Sequence, residues 1–260
     1  MCCFSGPVNT VSTTKIFARA GQQAQQFLIY AMQYQAESEL AMILPLPTPP
    51  SPAEDAVRFL DLSTYPDIFA DMERSFPVTR FRSFAAPDSA KSNLVVYNVG
   101  SFEASFVPTR QDFARLDSRF RLPDGVWDDL PTYAEYSFAV FKLKSGAHSI
   151  HPMAFSFPRR NPDALFFPTV HIHHGTVEEN AEFDHTLYWQ SNSTNTTDRS
   201  RRLRDSGTTP TWPDRHSSGP AGNFVRIADA QGIVDADLPL FRRRIHGLHP
   251  NEDIFLPEEG

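Results

Sequence analysis

Proline is the feature that most restricts how this chain can fold. The 260 residues include 22 prolines but only 12 glycines. Each proline fixes its own φ near −65° and removes a backbone donor, so it interrupts helices and central strands. The segments between the prolines are rich in β-branched and aromatic residues, which are typical of strands. We therefore predict many short elements, most of them strands, with stiff connections between them.

The order of these segments predicts the fold class. Strand-like runs precede and surround a few helical patterns without strict alternation, which indicates an α+β fold with a mixed, mostly antiparallel sheet packed with a few helices. Ser51, Pro52 and Glu54 form a capping box with proline at the first helical position, so we expect a helix from there to about residue 62. A second helix is expected to begin near Thr64 and to end before Pro77.

Composition also predicts three regions along the chain. Residues 1–190 are expected to form the main α+β domain. Residues 191–222 consist almost entirely of polar residues, glycine and proline, and are predicted to be a mobile surface loop. Residues 223–260 regain apolar residues and are expected to pack on the main domain as a C-terminal segment.

Charge and hydropathy narrow the possible partners. The formal net charge is −7, which argues against a general attraction for nucleic acid or anionic membranes. The chain shows no basic segment followed by an apolar run at its start, and no stretch of eighteen apolar residues. We therefore predict a cytoplasmic protein that binds neither nucleic acid nor membrane. The oligomeric state stays open.

The most suggestive chemical motif is the segment 166–175, which holds three of the nine histidines. Its sequence is typical of a buried strand, and alternate residues of a strand point to the same face. His171 and His173 are therefore expected to share one face. Two imidazoles on one rigid face could begin a transition-metal site.

Further ligands for such a site are available elsewhere in the sequence. The candidates are Cys2, Cys3, His151 and His185. Because thiolate and imidazole ligands select zinc or copper, the leading hypothesis is a cytoplasmic metal-binding protein, and specifically a metalloenzyme acting on a small molecule or peptide. Its reaction would be hydrolytic with zinc or oxidative with copper. In the simpler alternative, the histidines end a strand at the surface and the cysteines are small apolar residues.

Two alternatives to the metalloenzyme require no metal: an N-terminal-cysteine amidohydrolase and a non-catalytic binding protein. If Met1 is removed, the thiol and free amine of Cys2 could act as nucleophile and base in an N-terminal-cysteine amidohydrolase. Glu103 is a second catalytic candidate, because it follows Gly100 in an otherwise apolar segment. The remaining alternative is a non-catalytic binding protein.

Several short motifs, taken in chain order, resemble those of a bacterial family of unknown function. They are Cys-Cys-Phe at 2–4, Ala-Met-Ile-Leu-Pro-Leu-Pro at 41–47, Val-Gly-Ser-Phe-Glu-Ala at 99–104, Leu122-Pro123, Tyr133, Phe138 and Lys-Leu-Lys at 142–144. The family is characterised by an N-terminal Cys motif and a Leu-Pro-x-Pro segment. The resemblance covers about residues 2–175 and implies a shared fold but no activity. This chain differs by carrying His-Pro-Met and His-Ile-His-His.

Overall fold

The computed structural model describes residues 3–77, 97–99, 103–173, 175–191 and 214–258. Its strands, numbered in chain order, are β1 (Cys3–Phe4), β2 (Thr10–Ala20), β3 (Gln25–Ala36), β4 (Leu40–Leu46), β5 (Arg58–Asp61), β6 (Tyr97–Val99), β7 (Ala104–Val107), β8 (Ser137–Leu143), β9 (Gly146–Ile150), β10 (Met153–Pro158), β11 (Ala164–Phe167), β12 (Asn180–Gln190), β13 (Arg215–Pro220), β14 (Pro239–Pro250) and β15 (Ile254–Pro257). The α-helix in these ranges is α1 (Ile68–Arg74). Short 3-10 helices lie at Arg110–Arg115, Ser118–Phe120, Asp124–Trp127, Pro131–Tyr133, Ala221–Asn223 and Ile227–Asp229.

The described strands form three sheets. The largest has nine strands, with the main order β13-β14-β12-β2-β3-β10-β5, while β9 pairs with both β3 and β6. Its pairings are antiparallel except for β12 with β2 and β6 with β9, which are parallel. A four-stranded antiparallel sheet has the order β1-β4-β8-β7, and β11 pairs with β15. The predicted α+β class with a mixed, mostly antiparallel sheet is therefore confirmed.

Apolar residues pack on both faces of the nine-stranded sheet. The central strands therefore carry apolar residues at successive positions. On β2, Ile16 and Ala18 belong to one core cluster, whereas Phe17 between them belongs to the other. The first cluster includes apolar residues of β4 and β8, and the second includes those of α1. Strands buried on both faces are apolar at successive positions rather than at alternate ones.

Helix α1 confirms one predicted helix, whereas the helix predicted to begin after Ser51 is wrong. Within that segment, Arg58–Asp61 forms the edge strand β5 and pairs with β10. The ring of Phe59 packs edge-on against Phe141 and Phe155, at centroid distances of 5.6 and 6.1 Å. The pairing with β10 requires an extended backbone, and these ring contacts stabilise it, so tertiary packing overrides the capping signal.

Two buried glutamine side chains form the backbone hydrogen bonds that a neighbouring strand would otherwise provide. Gln26 on β3 accepts a hydrogen bond from the Phe166 amide at 2.9 Å and donates to the Phe166 carbonyl at 2.7 Å. In the same way, Gln190 accepts from the Asp235 amide at 2.9 Å and donates to the Asp235 carbonyl at 2.8 Å. Each carboxamide therefore satisfies one residue's donor and acceptor, as a neighbouring strand would.

The polar region predicted at 191–222 is only partly a loop. Residues 215–220 form β13 at the edge of the large sheet, and residues 192–213 lie outside the described ranges. The predicted division into three regions is not tested further and stays a prediction. Among the residues that the structure describes, no helix combines the length and apolar character needed to cross a bilayer.

Candidate functional site

The segment that carries His171 and His173 is not a strand. Strand β11 ends at Phe167, and Pro168 follows without a backbone donor. We call residues 168–173 the connector. Although Ile172 forms an isolated bridge, the connector lacks a regular ladder, so the expected placement of both histidines on one strand face is wrong.

Side chains from the turn between β14 and β15 hold the connector instead. The Asp253 carboxylate accepts hydrogen bonds from the amides of Thr169 and Val170, at 2.8 and 3.1 Å. Asn251 accepts from the His171 amide at 2.7 Å and donates to the His171 carbonyl at 3.0 Å. This is a third carboxamide that pairs with one backbone residue. The connector therefore depends on two side chains for most of its backbone hydrogen bonds.

The other side of the connector contacts the beginning of the chain. Cys3 forms a parallel bridge with Ile172, and the Phe4 amide donates to the Ile172 carbonyl at 3.0 Å. Strand β1 also pairs antiparallel with β4, so Cys3 and Phe4 are buried between the two. Cys3 therefore lies in the core next to the connector, whereas Cys2 is outside the described residues.

The histidines of the connector belong to an aromatic stack. The His171 ring lies 5.6 Å from His173, 5.2 Å from His185 and 4.5 Å from Phe183, measured between centroids. The planes of these pairs differ by only 12°, 20° and 27°. His185 is fully buried on β12, His171 is 7% exposed, and His173 is half-buried. We call His171, His173, Phe183 and His185 the histidine stack.

Burial keeps two of these imidazoles neutral at pH 7. It lowers the pKa of His171 to about 2, and the neighbouring His173, when protonated, acts in the same direction. Burial also lowers the pKa of His185 well below its usual 6.5. The His171 Nε2 atom has no hydrogen-bond partner within the described ranges.

This geometry overturns the metal hypothesis. The lone pairs of an imidazole lie in its ring plane, so nearly parallel stacked rings do not direct them at one ion. In the part of the chain that is described, no group of three His, Cys, Asp or Glu side chains is placed to hold a metal ion. The hypothesis of a zinc or copper enzyme built on His171, His173 and His185 is therefore wrong.

The remaining candidates are dispersed. His151 is half-buried just before β10, where its ring interacts electrostatically with Asp61 on β5. Burial lowers the His151 pKa. The Glu103 side chain is 80% exposed and forms a 3.3 Å ion pair with Lys142. This is a solvated surface ion pair, and the Glu103 carboxylate is not enclosed in a site where it could meet a bound substrate.

Sequence reasoning missed the turn that holds the connector. The Asp253 carboxylate also accepts a 2.6 Å hydrogen bond from the Tyr133 hydroxyl. Burial raises the pKa of Asp253 to about 6, although its three hydrogen-bond donors oppose the shift. Asn251 and Asp253 fall in a polar stretch near the end of the chain, which resembles a solvated tail. No local pattern distinguishes these two residues from their exposed neighbour Glu252.

The fold is similar to that of baculovirus P35. One crystal structure of P35 matches all of this chain and all of its own chain, with a TM-score of 0.51 and 12% sequence identity. P35 in complex with caspase-8 matches 95% of this chain and 96% of its own, with a TM-score of 0.48 and 12% identity. A mutated P35 after caspase cleavage gives a TM-score of 0.49 and 10% identity, over 95% of this chain and 100% of its own.

At 12% identity, the likeness to P35 shows the fold alone. No family model matches the sequence. The resemblance to a bacterial family of unknown function therefore stays a prediction.

Proposed function

We propose that this chain is a non-catalytic binding protein whose partner is a protease of the caspase type. The observation that carries the proposal is the end-to-end likeness in fold to P35, which forms a complex with caspase-8. This proposal takes the place of the metalloenzyme hypothesis. The amidohydrolase alternative depends on Cys2, which lies outside the described residues, and gains no support from the described ones.

The environment of the titratable candidates supports a non-catalytic role. The Asp253 carboxylate accepts three hydrogen bonds and so holds the connector, while His171 and His185 pack as neutral rings in the histidine stack. Glu103 is exposed beside Lys142. A general base needs a reachable substrate proton. These side chains are instead engaged in ring packing, backbone hydrogen bonds or an ion pair within the fold.

One solved P35 structure is that of a mutated P35 after caspase cleavage, so we expect an active caspase to cut this chain as well as to bind it. We also propose a cytoplasmic location, which fractionation of expressing cells tests.

The proposal is tested by mixing the purified chain with active caspase-8. We expect the two to co-elute on size exclusion and the cleavage of a small fluorogenic substrate to fall in proportion to added chain. Intact-mass analysis will locate any cut, and replacing the residue on the amino-terminal side of that cut with alanine should abolish both effects. An unchanged rate at a tenfold molar excess, with no co-elution and no cut, would refute the proposal.

Two controls make the experiment specific. The first control replaces caspase-8 with trypsin, a serine protease, to test whether the chain inhibits proteases in general; trypsin activity should not change. The second control uses heat-denatured chain to test whether an unfolded polypeptide merely competes as a substrate. Denatured chain should be degraded without forming a complex of defined stoichiometry.

A further inference from the structure

We propose that the connector is an acid-operated switch, with His171 and His185 of the histidine stack as its sensor. The proposal concerns residues 168–173 opening away from β12 while the sheets stay folded. It goes beyond the proposed function and does not depend on it. Three observations carry it: the way the connector is held, the chemistry of the stacked rings, and the charged groups around them.

The connector is built to open locally. The amides of Thr169, Val170 and His171 all donate to side chains of one turn, Asn251 and Asp253. Each side of β10, by contrast, pairs with a full strand. Segments held by few backbone ladders open at a lower free energy than central strands. Opening the connector also breaks the hydrogen bond from Phe4 to Ile172 and exposes the buried side chains of Val170 and Ile172, but it leaves the strand ladders of the sheets intact.

The histidine stack makes the opening equilibrium of the connector depend on pH. A protonated His171 would sit against two other imidazoles and the ring of Phe183, within a buried environment that disfavours charge. The closed form therefore holds His171 and His185 neutral, whereas the open form lets each bind a proton below pH 6.5, its ordinary pKa. Closure is fully stable above that pH, and each histidine weakens it about tenfold per pH unit below it.

Asp253 acts in the opposite direction. Its pKa in the closed form is about 6, above the ordinary 3.8, so the closed form gains stability as the pH falls through 6. The other described titratable or charged groups around the stack and its anchors are His173, Cys3, Tyr133, His249, and His246 with its partner Asp184. The two histidines together outweigh the single carboxylate.

The net effect can be estimated from these pKa directions and ordinary values. Between pH 7 and pH 5, His171 and His185 each favour opening about 30-fold, and Asp253 opposes it about tenfold. The opening equilibrium of the connector should therefore rise about 100-fold.

Hydrogen exchange of individual amides measures this equilibrium. Exchange rates at pH 5 and pH 7, corrected for the intrinsic pH dependence of exchange, give the opening constants for Thr169, Val170 and His171. We expect them to rise about 100-fold at pH 5 and to exceed, at both pH values, the opening constants of Ala154 and Phe155 in β10, which exchange only through global unfolding and so carry a similar proton dependence. If the connector and β10 amides have equal opening constants at both pH values, the connector opens only by global unfolding and the switch is refuted.

Variants identify the sensor. In His171→Phe, which keeps an aromatic ring in the stack but cannot titrate, the increase should fall from about 100-fold to about threefold. His185→Gln serves as an independent second variant with the same expectation. In Asp253→Asn, which keeps an acceptor for the two amides, the increase should grow to about 1,000-fold.

His216→Gln provides the matched control. His216 is exposed on the edge strand β13, so its replacement should leave the 100-fold increase unchanged. A wild-type increase below threefold, or a full increase in both His171→Phe and His185→Gln, would overturn the proposal.

Discussion

Replacing Gln26 with leucine is expected to lower the free energy of unfolding by about 3 kcal/mol. The Gln26 side chain is fully buried and makes both backbone hydrogen bonds of Phe166. Leucine has a similar size but leaves the Phe166 amide and carbonyl without their partner in the core. Each unsatisfied buried group costs about 1–3 kcal/mol, partly offset by the added apolar contact.

Urea unfolding monitored by tryptophan fluorescence measures this change, and Gln33→Leu is the matched control. Gln33 lies on the same strand, β3, but is exposed. Its replacement should alter stability by less than about 0.5 kcal/mol. Equal effects of the two substitutions would show that the Gln26 side chain contributes no more than a surface residue.

Replacing Glu73 with alanine is expected to destabilise the protein by about 2–4 kcal/mol and to detach α1 from the large sheet. The Glu73 carboxylate accepts a 2.6 Å hydrogen bond from the Tyr188 hydroxyl and pairs with both Arg242 and Arg244. Burial raises the Glu73 pKa, but these donors outweigh it and the net shift is downward. Alanine would leave the buried Arg242 guanidinium without its carboxylate, a costly arrangement.

Two further variants make this result interpretable. Glu54→Ala removes an ion pair with Arg115 in which both side chains are largely exposed, so its effect should stay below about 0.5 kcal/mol. In Glu73→Ala/Arg242→Met no buried charge is stranded, and at least half of the lost stability should return. A double variant less stable than Glu73→Ala would contradict this account. Thermal and urea unfolding provide both measurements.

Local patterns predicted the fold class because buried strands have a recognisable order of apolar residues in the sequence. The apolar run that includes Ile16, Phe17 and Ala18 is typical of a strand buried on both faces, and that is its place in β2. The spacing of Phe69 and Met72 likewise indicated helix α1.

The local signals failed where distant contacts decide the backbone. Ser51, Pro52 and Glu54 carry a strong helix-capping pattern, but the following residues gain more by pairing with β10 as an edge strand. In the same way, the connector was predicted to be a strand because Val170 and Ile172 favour extended structure. Its partners are two side chains about eighty residues later, which no local pattern indicates.

The candidate site shows the same limit. The sequence shows that His171 and His173 are close together, but not that their rings lie nearly parallel. Ring orientation decides between a metal centre and a packed stack, and it depends on Phe183 and His185 of β12. The likeness to P35, at 12% identity, was equally out of reach of motif reasoning.

The carboxamide of Asn251 gives the protein a chemical weakness that grows with age. Its amide nitrogen donates to the carbonyls of His171 and Glu178, at 3.0 and 2.9 Å. Slow hydrolysis of that amide during warm alkaline storage would replace the donor with a carboxylate facing two carbonyl oxygens. Each damaged molecule would then lose two hydrogen bonds and gain a repulsion at the connector. Deamidation of Asn251 would therefore loosen the connector while leaving the strand ladders unchanged.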